Sequence, residues 1–348
     1  MKSGRERINA VMEGKTPDRV PVICNLADQG AAELGMTLEE YYSLGENVAE
    51  GQLRMREKYG YDALLGFFYS ALEAELLGCR NVIFAKDGPP NVGHLIISKP
   101  RDIEKLRIPD DLTFLPKFRE QLKCINILKE IEGGNYPVIS VVTASFSLPP
   151  LLMGIEGWMR LFLTGPRDLC LQLLEKCSEF CVRHIQTLRE AGTDLIAYAN
   201  PVASATFLRY EQFRELALPW VIRDVGKAGP GDIIYFNGGG RINTLLETIM
   251  RETGLRAFHI NPLDDIAEAK KILAGRALLI AAINDIKLIN WTGEEIEREV
   301  RRIMDAGRPG SGFLFGTLMM PCYIPETSIR VMLEAAYRLG NYGSADKP

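Results

Sequence analysis

The sequence predicts an α/β fold, a closed (β/α)8 TIM barrel with an N-terminal helical extension and an insertion after the second strand, with residues 1–348 forming one domain. Three observations predict it. Eight short apolar runs of strand length recur along the chain, each followed by an amphipathic helical pattern. Strands alternating with helices imply a parallel sheet, and eight such units in one domain imply closure. An open doubly wound sheet would want a glycine-rich fingerprint after its first strand, where this chain has "NLADQG" (25–30).

The first strand is "PVICN" (21–25), followed by helical sequence through Tyr59. The second is "DALLGF" (62–67), followed by an insertion with a hairpin pattern, "NVIFAKDGPPNVGHLIIS" (81–98). "PVISVVT" (137–143) comes third, with long helices from Leu148 to Ala191, and "DLIAYA" (194–199) fourth, with a helix from about Tyr210. The fifth, "DIIYF" (232–236), runs into Asn237 and three glycines before a helix from Ile242. "RAFHI" (256–260), "ALLIAAI" (277–283) and "GFLFG" (312–316) complete the set, each leading into an amphipathic helix.

Composition narrows the function. With 47% hydrophobic and 25% charged residues the chain is a soluble globular protein with a sizeable core. A net charge of -4 offers no polycationic face for nucleic acid. No apolar run reaches the roughly 18–20 residues of a membrane span, and "MKSGRERINAVMEG" carries no apolar signal core. Seven scattered cysteines suit a reducing cytoplasm.

A barrel places its active site at the carboxyl ends of its strands. Those ends carry Asn25 and Asp28, then Phe68 and Tyr69, then Thr143 and Ser145. Later ends carry Asn200, Asn237, His259 with Asn261, Asn284 with Asp285, and Cys322. Side-chain amides donate and accept without fixed charge, so this mouth suits a largely neutral polar ligand. The bare "NGGG" (237–240) reads as a tight turn that leaves the mouth open, because no Lys or Ser/Thr signature marks a phosphate cradle. Cys177, Cys181 and His184 share one helix face, a pattern that buried packing explains.

From end to end the chain resembles the uroporphyrinogen decarboxylase superfamily, and within it the corrinoid-dependent methyltransferase branch. The matching pieces are "DRVPV", "KYGYDAL", "EAELLGC" (73–79), "LLMGIEGWM" (151–159), "AGTDLIAYANPVAS" (191–204), "DDIAEAKKIL" and "PCYIPETSIRVMLEAA". The decarboxylase is similar in fold but holds its polycarboxylate substrate with an arginine-rich segment after the first strand. Here "NLADQGAAEL" has no arginine and would offer Asp28 and Glu33 instead.

For the thiol-methylating members, the resemblance implies a zinc held by a His-x-Cys pair after the fifth strand and a Cys after the eighth. Cys322 in "MMPCYIP" keeps the last position, whereas Tyr235 and Asn237 stand at the pair. A rebuilt site would draw on Glu73, Glu75, His259 or Asp285, so Cys322 with Glu73 or His259 is the candidate zinc set.

The resemblance implies methyl transfer to or from a separate corrinoid protein, in a cytoplasmic enzyme with a homodimer as the common state. The favoured reading is O-demethylation of an aromatic methyl ether onto Co(I). Tyr235, Glu73 and His259 are its candidate acids, and Phe68, Tyr69, Asn25, Asn200, Asn237 and Asp285 its substrate contacts. The alternatives are the reverse half-reaction, with methyl passing from the corrinoid to a thiol or pterin, a decarboxylase, or a barrel that binds without turnover.

Overall fold

The computed structural model describes residues 2–85 and 88–343. In chain order its strands are β1 (Val22–Asn25), β2 (Leu64–Leu65), β3 (Val82–Ile83), β4 (Asn91–Val92), β5 (Val138–Thr143) and β6 (Leu195–Ala199), then β7 (Ile233–Phe236), β8 (Ala257–Ile260), β9 (Leu278–Ala282) and β10 (Phe313–Met319). All but β3 and β4 form one parallel sheet, ordered β1-β10-β9-β8-β7-β6-β5-β2. That order is the chain order wrapped round, the topology of a (β/α)8 barrel.

The last seam, between β1 and β2, closes through one residue. Asp62 donates its backbone N–H to Val22 O at 2.8 Å, and its carboxylate accepts the Val22 N–H at 2.8 Å. Arg7 and Arg19 grip the same buried carboxylate at 3.0 and 2.6 Å, so the charge that staples the seam is itself neutralised.

Parallel strands covered by helices bury both faces, and here the two faces form separate apolar layers. The lumen is filled by small and branched side chains, among them Ala63, Leu65, Val141, Ala197, Ile234 and Ile280. The larger layer lies between strands and helices and takes the bulky residues, including Tyr198, Tyr235, Phe258 and Phe315. The N-terminal helix Gly4–Met12, started by a Ser3/Glu6 capping box, contributes Ile8 and Val11 to the lumen layer. It therefore floors the barrel at the amino ends of the strands.

Four expectations needed adjustment. β2 keeps only two of the six residues in its run, because it has a ladder on the β5 side alone. β10 continues to Met319, three residues past "GFLFG", by pairing beyond an irregularity in β1 as far as Asn25. The insertion hairpin is reduced to the two-residue pair β3–β4, and its Lys86–Asp87 segment lies outside the described residues. The helix expected from Tyr210 passes through a π-helical turn at Phe213–Ala217 before Leu218–Ala228. Pro219, with no N–H to give the preceding turn, accounts for that widening. No helix of the described residues is long and apolar enough to cross a membrane.

Candidate active site

Toward the carboxyl ends of the strands the lumen holds a cavity of about 50 Å³. Its lining is aliphatic apart from Cys24, Phe236 and the hydrogen-bonding side chains of Asn25, His259 and Thr317. Of the residues expected at the mouth, Asn25 and His259 line it.

His259 is fixed on both sides. Asn237 Nδ2 donates to its Nδ1 at 2.8 Å, which leaves Nε2–H to donate to Thr317 O at 3.2 Å. Burial, only partly offset by hydrogen bonds to backbone carbonyls, lowers its pKa to about 4. Neutral and doubly engaged, the ring lines the cavity as a rigid wall. Gly316 lets it lie there, since a Cβ at that position would come within 2.7 Å of Ile280 and 3.1 Å of His259 Nε2.

The "NGGG" turn exists to aim Asn237. Its Nδ2 also donates to His259 O at 2.8 Å, and its Oδ1 accepts the Gly239 N–H at 2.6 Å. Gly238 and Gly239 adopt φ of 58° and 100°, which favour glycine. Gly240 is pressed against the loop after β6, where a Cβ would meet Ser204 Cβ at 2.5 Å. The turn is tight, with Gly240 packed and Gly238 and Gly239 exposed at its tip.

Asn25 differs from its neighbours. Its backbone N–H goes to Thr317 Oγ1 at 2.9 Å, yet its buried Oδ1 has no hydrogen-bond partner. Phe68 and Phe236, both half-buried, pack against the lumen layer.

Other predicted site residues stand elsewhere. Tyr235 points into the outer layer between Tyr198 and Phe258, with its hydroxyl on Ala203 O at 3.2 Å. Alternation along β7 decides this: Ile234 and Phe236 face the lumen and Tyr235 faces away. Tyr69 is buried in an aromatic cluster with Tyr42 and Phe67 and bonds Glu75. Asn200 braces two loops by accepting the Ser147 hydroxyl at 2.7 Å. Asp28 takes the Tyr42 hydroxyl at 2.7 Å. Burial raises the carboxyls of Asp28 and Asp285 to about 6, but neither lines the cavity. Cys322 is half-buried in the loop after β10, and Gln29 ties that loop through the carbonyls of Met320 and Pro321.

Glu73 lies behind the mouth. Fully buried, it accepts the N–H of Thr143 at 2.6 Å and the Thr143 hydroxyl at 2.5 Å. Its Oε1 is 3.7 Å from His184 Nδ1. Gln121 donates through Nε2 to Phe67 O at 3.2 Å, so its Oε1 must take the His184 Nε2–H at 3.1 Å. His184 Nδ1 is then a bare acceptor facing the carboxyl group. Desolvation, stronger than the two Thr143 bonds, raises Glu73 to about 7. Near neutrality the carboxyl group is therefore partly protonated.

Thr317, Phe236 and Ile23 line the cavity and were absent from the expected set. Counting by twos along each run would have found Phe236 and Ile23, whereas Thr317 lay past the predicted strand end.

The family model for uroporphyrinogen decarboxylase (URO-D) matches residues 3–339. The chain belongs to the URO-D family. Within it, the chain is 25% identical over 318 residues to the methylcobamide:CoM methyltransferase MtaA of Methanosarcina barkeri, covering 88% of this chain and 92% of that one. It is equally 25% identical to MtbA of Methanosarcina mazei, over 95% and 97% of the two chains. A uroporphyrinogen decarboxylase of Geobacter metallireducens is 27% identical over 94% and 96%. A solved methyltransferase from Methanosarcina mazei shares the fold, with TM-score 0.81, 20% identity and coverage of 97% and 98%.

The zinc site that the resemblance implied does not fit the side chains of this URO-D member. Tyr235 faces the outer layer, Asn237 is committed to His259, and both His259 nitrogens are engaged. Glu73 is committed to Thr143. Among the described residues no three His, Cys, Asp or Glu side chains come together as a metal-holding group. The expected set of Cys322 with Glu73 or His259 is not among such groups.

Proposed function

We propose that this chain is a methyltransferase that works with a separate corrinoid protein and passes a methyl group from its cobalt to a small acceptor at the barrel mouth. Homology along nearly the whole chain to methylcobamide:CoM methyltransferases carries this reading. It favours the cobalt-to-acceptor direction over the demethylation expected from sequence. The bound corrinoid supplies the carbon–cobalt bond that is broken. The chain's own residues hold the acceptor and exclude water.

Two features support it. Loops after β6, β8, β9 and β10 present exposed Phe207, Leu263, Ile286 and Tyr323 on the face where the cavity opens, a surface suited to a protein partner. Behind them the lumen offers a dry wall of aliphatic side chains with a neutral, immobile His259. A polyanionic decarboxylase substrate finds no lysine or arginine among the residues lining the cavity.

Demethylation is the second reading, favoured by one observation: the two positions expected to activate a thiol through zinc are Tyr235 and Asn237. Incubation with methylcobalamin and added acceptors, beside Co(I) corrinoid protein with methoxybenzoates, separates the two. Loss of the methyl from cobalt supports the first reading and methylation of Co(I) the second. Neither reaction with the partner present would sink both.

A further inference from the structure

We propose that the lumen cavity is a binding site for the uncharged, hydroxyl-bearing end of the small methyl acceptor, and that the Asn25 amide is the group that selects it. The proposal rests on the methyl-transfer reading and adds the chemical class of the small molecule.

Apart from Cys24, whose side chain packs in the outer layer, three hydrogen-bonding side chains line the cavity. His259 is spent on Asn237 and Thr317 O, and Thr317 Oγ1 holds the backbone N–H of Asn25. Asn25 alone brings an uncommitted side-chain acceptor: the residue is 8% exposed and its Oδ1 is buried without a partner. A buried carbonyl oxygen left unmatched is costly, so such an atom in a cavity wall marks a ligand's position. Its Oδ1 accepts and its Nδ2, which no hydrogen bond among the described residues engages, donates, so a hydroxyl group, which does both, matches it.

Charge sets the rest of the specificity. Neither a lysine, an arginine nor a carboxylate is among the residues lining the cavity. An anion entering there would lose its hydration with nothing to replace it, and a cation would find only a neutral amide. The remaining walls, including Ile23, Leu65, Val141 and Ile280, fit a short aliphatic or sulfur-bearing stem. About 50 Å³ leaves room for a few non-hydrogen atoms, so the reacting end stays at the mouth.

The test reads binding without turnover. The protein has three histidines, so the His259 ring signals can be followed by NMR while 2-propanol or acetate, matched in shape, is added. The expected result is a saturable shift with 2-propanol, at least tenfold weaker with acetate, and lost in Asn25→Leu. Asn25→Asp, which keeps the acceptor and adds a charge, should shift preference at least tenfold toward isopropylammonium. Equal binding of acetate, unchanged 2-propanol binding in Asn25→Leu, or no shift with either probe would overturn the proposal. A failed methyl-transfer assay beside a positive titration would count against the reaction alone.

Discussion

Replacing Glu73 by glutamine tests whether its carboxyl group is a structural acid or a catalytic one. If Glu73 is protonated in the fold, the amide is a close substitute: its oxygen keeps the Thr143 N–H, and its nitrogen donates to Thr143 Oγ1 or toward His184. The wild-type acid carries a pH dependence that the variant lacks. A carboxyl raised in the fold binds its proton more tightly folded than unfolded, so its contribution is fully present below the ordinary 4.5. It is lost as pH rises through about 7. That gap, at about 1.36 kcal/mol per pH unit, amounts to about 3 kcal/mol. For a chain of 348 residues this corresponds to about 4 °C in Tm. Denaturant melts of both proteins from pH 4 to 8 should therefore diverge, with wild type losing about 3 kcal/mol relative to Glu73→Gln. Parallel curves, or a variant weaker by several kcal/mol at every pH, would show that Glu73 is ionised and refute the reasoning. Methyl transfer should survive the substitution, because Glu73 does not line the cavity.

Tyr235→Phe should leave kcat/KM within about twofold and cost about 1 kcal/mol for the lost bond to Ala203 O, measured by steady-state kinetics and urea melts. Asp62→Ala strands Arg7 and Arg19 and unpins the β1/β2 seam, so calorimetry should show a loss of about 3–5 kcal/mol. Gly240→Ala forces a Cβ onto Ser204 and should destabilise by about 1–3 kcal/mol while also shifting the His259 NMR signals through Asn237. On the acid side, His259 stays neutral in the fold to about 4 against an ordinary 6.5. Its contribution of about 3 kcal/mol is present above 6.5 and lost as pH falls through 4, which His259→Gln should remove from acid melts.

Much of the barrel was legible because each strand is an uninterrupted apolar run bounded by turn residues, and most observed ends fall within one residue of the runs. Which side of a strand faces the lumen was not legible in the same way. In "DIIYF" both faces are apolar, so composition alone gives no sign that Tyr235 turns outward and Phe236 inward. Asn25, His259 and Asn237 were found by their place at strand ends. The link between the last two needed the two positive-φ glycines that turn the Asn237 amide back onto the ring. Glu73 misled for a different reason: its helix, Leu72–Leu76, folds back so that the carboxyl group meets the end of β5, seventy residues later in the chain.

The helix that floors the barrel bears on the order of events. Ile8 lines a second cavity, of about 70 Å³, at the amino-terminal end of the lumen, which shares Ile23, Ile234 and Ile280 with the one toward the carboxyl ends. On the proposed reading, a small ligand that enters from the carboxyl ends would cross the face a large partner covers, so it would arrive before the partner docks and its product would wait for the partner to leave. A barrel used in that way would run by compulsory order, with turnover held to the rate at which the two proteins separate.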